Sequence, residues 1–105
     1  MQGFQLSFFT RQDHKHAGLP LAEWLLQEAR RLGLGGATLI AASEGFGHHG
    51  KLHSVHFVEL ADQPQEVTLA VSAADAERFF ARLAEEGIKV FYVKTPIEFG
   101  ITGAG

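Results

Sequence analysis

The sequence of 105 residues predicts an α+β fold in which an antiparallel sheet carries two helices on one face. Stretches with the two-residue period of strands alternate with two stretches that have the three-to-four-residue period of amphipathic helices. A glycine, Gly33 or Gly87, follows each helical stretch directly. The resulting order β-α-β-β-β-α-β corresponds to two β-α-β halves with an inserted hairpin, as in ferredoxin-like folds.

Size and composition predict a single globular domain over residues 1–105. Apolar residues make up 46% and charged residues 20%, an ordinary globular balance. The net charge of -3 and the scattered basic residues give no reason to expect a nucleic-acid partner. Without cysteine there is no disulfide and no thiolate metal site. The sequence lacks an apolar run of the ~20 residues that a membrane span needs, and lacks signal-peptide features, so we expect a cytoplasmic protein without a membrane span.

The first strand and the first helix follow from their apolar periods. A strand is predicted over residues 4–10, where Phe4, Leu6 and Phe8 form an apolar face, and a polar loop is predicted over residues 11–18. A helix is predicted from about Pro20 to about Leu32, because proline suits the first turn of a helix. Its apolar stripe is interrupted only by Glu28.

Three further strands are predicted in the middle of the chain. The strand over residues 37–46 is apolar on both faces in its first half, which predicts cover on both sides. Glycines between residues 45 and 50 predict a turn, which leads to a strand over residues 52–60. A turn and another strand, over residues 66–72, complete this part.

The C-terminal third holds the second helix and the last strand. Ser72 and Asp75 resemble a capping box and open a helix that is predicted to reach Glu86. The last strand is predicted over residues 88–94, again with apolar residues on both faces. Residues 95–105 have no clear period, and we interpret them as either a flexible tail or a short edge piece on a neighbouring subunit.

Several motifs in the middle of the chain together resemble a known family. They are G-L-P-L at Gly18, G-L-x-G-A-T at Gly33, E-G-F-G at Glu44 and H-S-x-H at His53. In combination they are similar to a family of small uncharacterised PII-like proteins and, more distantly, to the nitrogen-regulatory PII signalling proteins. The resemblance extends from Phe4 to about Val93.

This resemblance implies a trimeric sensor protein. The implied protomer is ferredoxin-like, and three copies assemble as a homotrimer with their sheets facing inward. A small-molecule effector, an adenine nucleotide, is expected in the clefts between subunits, and its binding is expected to be relayed to an unknown protein partner. By matching position, the resemblance implies that backbone at six residues contacts the ligand: Gly36, Ala37, Thr38, Gly45, Phe46 and Gly47.

Three further residues are candidates on their own chemistry. Glu44 ends a strand and can orient a ligand, although a solvent-exposed strand end is the simpler reading. His48 and His49 can donate hydrogen bonds to an anionic ligand. The glycines at 45 and 47 equally suit a sharp turn without any ligand.

Departures from PII proteins favour a ligand with fewer phosphates. PII proteins carry an arginine and a glutamine after G-F-G, whereas this chain has His48 and His49. They also carry a glycine-rich loop with a phosphate-binding lysine after the second helix, where this chain continues from Gly87 directly into a strand. We therefore expect AMP or ADP rather than ATP.

Two other functions remain open from the residues alone. His48, His49 and His53 offer imidazole ligands that suit zinc, copper or nickel, which defines a divalent-metal-responsive trimer as the alternative. A non-catalytic adaptor is the third reading. No nucleophile elbow, cysteine nucleophile or Walker-type loop occurs in the sequence, so we expect no enzymatic activity.

Overall fold

The computed structural model describes residues 1–35, 37–41, 44–46, 52–54 and 64–103. The helices are α1 (Leu21–Arg31) and α2 (Ala73–Glu85). The strands, in chain order, are β1 (Gln2–Arg11), β2 (Lys15–His16), β3 (Leu19–Pro20), β4 (Ala37–Ala41), β5 (Glu44–Phe46), β6 (Leu52–Ser54), β7 (Pro64–Ser72) and β8 (Phe91–Glu98). Within these described ranges, no helix is long and apolar enough to cross a membrane.

The main sheet has four antiparallel strands in the order β4-β7-β1-β8. Two small ribbons, β2–β3 and β5–β6, stand apart from it. The ribbon β5–β6 lies in the chain between β4 and β7, where the sequence predicts an inserted hairpin. The ferredoxin-like fold class is therefore confirmed, with the strand order that two interleaved β-α-β units produce.

The alternation of side chains along β1 shows which face of the sheet is buried. Leu6 and Phe8 are fully buried, whereas their neighbour Phe9 is 40% exposed on the opposite face. The partners of Leu6 and Phe8 on β7 are Leu69 and Val67, which are also fully buried. Successive side chains of a strand point to opposite faces, so the ladder assembles one continuous apolar face.

Both helices pack on this apolar face. Leu21, Leu25 and Ala29 of α1 and Ala76 and Phe79 of α2 belong to the same buried cluster as the β1 and β7 side chains. The ring of Phe79 meets the ring of Phe8 edge-on at 5.6 Å. Each fully buried leucine or phenylalanine stabilises the fold by roughly 1.5–3 kcal/mol. The prediction of two helices on one face is confirmed.

The helix ends form where capping chemistry predicts. The hydroxyl of Ser72 accepts a hydrogen bond from the Asp75 N–H at 3.1 Å, which satisfies one free donor at the start of α2. Gly33 and Gly87 follow the two helices with φ of 72° and 66°. In each case the N–H of the next residue bonds the carbonyl five residues earlier, which is the Schellman arrangement.

Two predicted strands have different bounds in the structure. The strand predicted over residues 37–46 is two strands, β4 and β5, in separate sheets. A two-residue period cannot distinguish one strand from two consecutive ones, because both are extended. The strand that we predicted to continue from Leu52 to residue 60 is described only as β6, and residues 55–63 lie outside the described part of the chain.

The last strand begins and ends later than predicted. Ile88 and Val90 are half-buried against the core and precede β8, which runs from Phe91 to Glu98. Residues 95–98, predicted to be aperiodic, pair with the start of β1. The turn at Gly87 directs Ile88 and Val90 towards the helices, so their apolar side chains fill the core without joining the ladder.

The two ends of the chain meet at one corner of the sheet. Met1 and Phe99 exchange two backbone hydrogen bonds of 2.9 Å, which extend the ladder by one residue pair. The ring of Phe99 lies over Gly3. A Cβ atom at Gly3 would lie 2.1 Å from the carbonyl oxygen of Val71 and 2.7 Å from the Phe99 ring. Only glycine therefore fits at this point of β1.

We expect Gly3→Ala to destabilise the protein by about 1–3 kcal/mol, because the added methyl group forces the strands or the Phe99 ring apart. Urea unfolding followed by circular dichroism measures the change. Gly100→Ala is the matched control, since nothing lies within 4 Å of a Cβ at Gly100. Equal stability of the two variants would contradict the close approach at Gly3.

Candidate functional site

The candidate ligand region emerges from one end of the main sheet. At that end Ala41 of β4 pairs with Gln65, and Arg11 at the end of β1 pairs with Pro64. The ribbon β5–β6 follows β4 in the chain, within three residues of Ala41. The start of β8 reaches the same end, because Phe91 pairs with Phe9.

The E-G-F segment is a strand and not a turn. Glu44, Gly45 and Phe46 pair with Ser54, His53 and Leu52 in β6, respectively. Gly45 lies within the strand that was predicted to end at Phe46, and its backbone is extended within a ladder, while the predicted turn after Phe46 lies outside the described residues. An extended glycine still leaves the backbone without a covering Cβ, which permits close approach of a ligand.

The predicted contact residues separate into two groups along the chain. Ala37 and Thr38 begin β4 and pair with Leu69 and Thr68, at the far end of that strand from β5. At about 3.3 Å per residue, the four steps from Ala37 to Ala41 cover roughly 13 Å. Ala37 and Thr38 are therefore separated by most of β4 from Ala41, where the chain leaves the main sheet towards the E-G-F segment.

The remaining predicted contact residues, Gly36, Gly47, His48 and His49, lie outside the described part of the chain. Their roles, and those of Glu44, Gly45 and Phe46, stay predictions. Of the histidines proposed as metal ligands, only the backbone of His53 is described. No group of three or more metal-ligating side chains occurs among the residues whose side chains are described.

The two N-terminal histidines have separate partners. His14 Nδ1 lies 3.2 Å from Thr10 Oγ1, and His16 Nε2 lies 2.9 Å from Glu86 Oε1. The ring of His16 also meets Trp24 edge-on at 5.0 Å. The two histidines therefore contact different residues in different parts of the fold.

A short ribbon stands where the sequence predicts a polar loop. Lys15–His16 pairs with Leu19–Pro20 across a two-residue turn in which Ala17 and Gly18 have φ of 54° and 82°. Positive φ at both central positions is the geometry of a tight hairpin turn. For a non-glycine residue such as Ala17 this conformation costs about 1–2 kcal/mol. The sequence has no strong apolar alternation here, so the ribbon could not be predicted from it.

A charged network joins this ribbon to both helices. Glu86, which contacts His16, also accepts a 2.8 Å hydrogen bond from Arg82. Arg82 Nε donates to Glu28 Oε1 at 2.8 Å, and the Arg82 guanidinium lies 5.8 Å from the centre of the Trp24 ring. Trp24 is 8% exposed and belongs to the buried apolar core. The network thus links β2, α1 and α2 around one tryptophan.

Glu28 is the buried centre of this network. It is only 7% exposed, and Arg31 donates to the same carboxylate oxygen as Arg82. Hydrogen bonds from Arg31, and then those from Arg82, hold the pKa of Glu28 below its ordinary value, against the opposing effect of burial. Glu28 is the one charged residue in the apolar stripe of α1, which is a sequence signal for an internal ion pair. The spacing of residues in the stripe does not identify the partners of Glu28.

Glu86 carries a similar but more exposed charge. The hydrogen bond with His16, and then the one from Arg82, lower the pKa of Glu86. Both carboxylates are therefore more easily ionised in the folded chain than in the unfolded chain. Their contribution to stability is complete above the ordinary glutamate pKa and disappears as the pH falls through the lowered folded values.

A shallow cleft lies at the start of α1. Its volume is about 310 Å³, and it is lined by Gln12, Pro20, Ala22, Glu23, Leu26 and Gln65. Gln65 pairs with Ala41, so the cleft adjoins the point where the chain leaves the main sheet towards β5. Its lining offers one carboxylate and no basic side chain, which disfavours phosphate at this position.

Comparison with known proteins identifies the class of fold and then the family. The family model described as "Uncharacterized ACR, COG1993" (DUF190) matches residues 3–96. This chain therefore belongs to the DUF190 family. It is also 31% identical over 81 residues to the UPF0166 protein of Aquifex aeolicus (strain VF5), which covers 77% of this chain and 74% of that protein.

Solved structures with the same fold are PII-like proteins. CPII of Thiomonas intermedia K12, a nitrogen regulatory PII-like protein bound to ADP, AMP and bicarbonate, aligns with a TM-score of 0.62 at 19% identity over 96% of this chain and 91% of that chain. A putative PII-like signalling protein of Thermus thermophilus aligns with a TM-score of 0.66 at 20% identity over 92% and 88% of the two chains. The predicted resemblance to PII-like proteins is confirmed at the level of the fold.

We expect Glu28→Gln to lower the free energy of unfolding at neutral pH by about 1.5–3 kcal/mol, the contribution of hydrogen bonds to a charged group. The variant should also lose less stability than the wild type as the pH falls below the ordinary glutamate range, because one acid-sensitive carboxylate is gone. Urea unfolding at a series of pH values measures both effects.

Glu85→Gln is the control for this comparison. Glu85 is well exposed and makes one 3.4 Å contact with Arg82, so the substitution should change stability by less than about 0.5 kcal/mol. If Glu28→Gln followed the wild-type acid profile, the ion pairs of Glu28 would not stabilise the fold.

Proposed function

We propose that this protein is a PII-like sensor that binds an adenine nucleotide between copies of the chain and relays that state to a partner protein without catalysing a reaction. The observation that carries the proposal is the fold itself. A PII-like protein that is described as bound to ADP, AMP and bicarbonate shares it over 96% of this chain. The DUF190 family match over residues 3–96 supports treating nearly the whole chain as one functional unit.

The proposed ligand contacts come from two places in the fold. Ala37 and Thr38 lie at the beginning of β4, directly after Gly36 in the chain, and the segment from Glu44 to His49 begins with β5. Since the length of β4 lies between these two groups within one copy, a site that uses both is best formed by two copies. This geometry supports the proposal of a ligand cleft between subunits.

The connection after α2 supports a ligand with few phosphates. α2 ends at Glu85 and β8 begins at Phe91, so five residues, including Gly87, join them. Two of these, Ile88 and Val90, are half-buried against the core. This connection is too short to hold a glycine-rich phosphate loop. We therefore favour AMP or ADP over ATP as the effector.

A homotrimer explains the exposed face of the main sheet. Phe9, Phe91 and Val93 are 40%, 64% and 44% exposed on the face opposite the helices. The rings of Phe9 and Phe91 lie 5.8 Å apart and form one apolar surface. Large exposed apolar surfaces in monomers commonly mark interaction sites. Three copies with their sheets facing inward would bury it.

Isothermal titration calorimetry with AMP, ADP, ATP and a cyclic adenine nucleotide tests the proposed function. We expect AMP or ADP to bind more tightly than ATP. Gly45→Val should weaken binding at least about tenfold, because a branched side chain covers the exposed backbone while it suits an extended strand.

Gly100→Ala, at the other end of the sheet, should bind as the wild type does. An absence of heat with every nucleotide, at a protein concentration where the oligomer is intact, would refute the proposed function. Titration of the same sample with zinc, copper and nickel shows whether the histidine-based alternative takes its place.

A further inference from the structure

The helix-facing side of the main sheet continues for one residue pair beyond the fully buried core. Val67 of β7 is fully buried on that side, and Gln65, two residues earlier in the same strand, points to the same side. Its neighbour across the ladder is Thr10 of β1. α1 begins only at Leu21, because residues 12–20 first pass through a loop and the β2–β3 ribbon. A notch therefore lies between Gln65 and the first turn of α1.

This notch is the shallow cleft at the start of α1, whose volume is about 310 Å³. Apolar groups form part of its lining, since Pro20 and Leu26 are half-buried there and Ala22 is buried. Glu23 is the exposed residue of the lining. Sites for small molecules commonly have volumes of about 300–1,000 Å³, so this cleft is at the lower end of that range. It has room for a ligand of a few atoms with an apolar body.

One polar atom of the lining residues lacks a hydrogen bond. The Oε1 atom of Gln65 is buried, and it accepts no hydrogen bond from the described part of the chain. Buried oxygens of this kind nearly always have a partner in folded proteins, and leaving one unpaired costs free energy. A methionine of similar size would avoid that cost. An unpaired acceptor beside a cleft therefore indicates a hydrogen-bond donor that comes from outside the chain.

The polar lining residues indicate the charge of that donor. Glu23 supplies a carboxylate and Gln65 supplies an oxygen acceptor, whereas no lysine or arginine occurs among the described residues of the lining. Arg11, which is next to Gln12 in the chain, is paired with Asp13 at 3.2 Å. Oxygen acceptors and a negative charge favour a cation that carries N–H groups over a phosphate or a carboxylate.

We propose that this cleft binds a small organic cation, an alkylammonium or alkylguanidinium, through Gln65 Oε1 and the Glu23 carboxylate. Both cations present several N–H donors in a small volume, and their apolar chain contacts Pro20 and Leu26. Hydrogen bonds from a charged donor are roughly twice as strong as neutral ones, which suits an acceptor that is otherwise unpaired. Because Oε1 is buried in the free chain, the Gln65 amide turns towards the cleft as the cation binds, a side-chain change that is common at binding sites.

This cation site goes beyond the proposed function and does not depend on it. The site lies within one chain, between β7 and α1, and it takes a cation, whereas a nucleotide is an anion. Gln65 pairs with Ala41, the last residue of β4. A cation on Gln65 therefore lies beside the point where the chain leaves the main sheet towards β5, as a second effector at the candidate ligand end of the protein.

Nuclear magnetic resonance titration of the wild-type protein with butylammonium and butylguanidinium tests the site without a substitution. Either cation should shift the side-chain amide signals of Gln65 and the backbone amide signals of Ala22 and Glu23, and the shifts should saturate. Butanol and butyrate have the same apolar chain without the positive charge, and they should leave these signals unsaturated. No saturable shift with either cation, or an equal shift with butyrate, would overturn the proposal.

Gln65→Met separates a ligand acceptor from a structural glutamine. Loss of a hydrogen bond from a charged donor should weaken cation binding at least about tenfold. The thermal unfolding midpoint should rise at the same time, because the variant no longer buries an unpaired oxygen. A structural glutamine predicts the opposite shift. A lower midpoint, or unchanged affinity for both cations, would contradict the proposed role of Gln65.

Glu23→Gln, with Glu77→Gln as its matched control, tests the charge. Both substitutions remove one carboxylate, but Glu77 is exposed on α2 and does not line the cleft. Cation binding should weaken about threefold or more in Glu23→Gln and stay at the wild-type level in Glu77→Gln. Equal weakening in both variants would show only general attraction to a negative protein and would overturn the site. Calorimetry with ADP on the wild type keeps the two proposals apart, since cation binding without nucleotide binding refutes the proposed function alone.

Discussion

Two helices can cover only one face of the four-stranded sheet, and most of the structure follows from that constraint. The period of β1 sends Leu6 and Phe8 to the covered face and Phe9 to the open one. The covered face provides the stability of the single chain through one apolar cluster. The open face, with Phe9, Phe91 and Val93, is left without cover from either helix.

Glu28 shows how the covered side accommodates a charge. A carboxylate in an apolar stripe would be costly to bury unless its hydrogen-bonding capacity were satisfied. Arg31 and Arg82 provide that satisfaction from two helices, and Arg82 then reaches Glu86 and, through it, His16. The same contacts fix the strained ribbon around Ala17 against the helix ends. The hydrogen bonds that the buried Glu28 carboxylate requires thus help to position the β2–β3 ribbon, which has little apolar area of its own.

The sequence predicts the architecture well where a residue type has one physical use. The glycines after both helices, the Ser72 cap and the alternation of β1 each specify a conformation almost alone, and each is found as predicted. Predictions were wrong where an extended pattern has several possible partners. The division of residues 37–46 into two strands and the late start of β8 depend on pairing, which a single-strand pattern does not contain.

The candidate site, like the fold, was predicted only in part from the sequence. Its glycines and histidines identify a region of the chain, and the resemblance identifies a family. Chain proximity nevertheless suggests that Thr38 and Gly45 are neighbours, whereas most of β4 lies between them and they belong to different sheets. The network around Glu28 was not predicted for a related reason, since Arg82 is 54 residues away from Glu28 in the chain.

The central claim is that the nucleotide site belongs to an assembly and not to one chain. Native mass spectrometry with ADP present at increasing concentration tests this most directly. We expect a species of three times 11.4 kDa that takes up ADP, while any single chains take up none. Specific ADP uptake by single chains, or a three-copy species that never binds an adenine nucleotide, would contradict it.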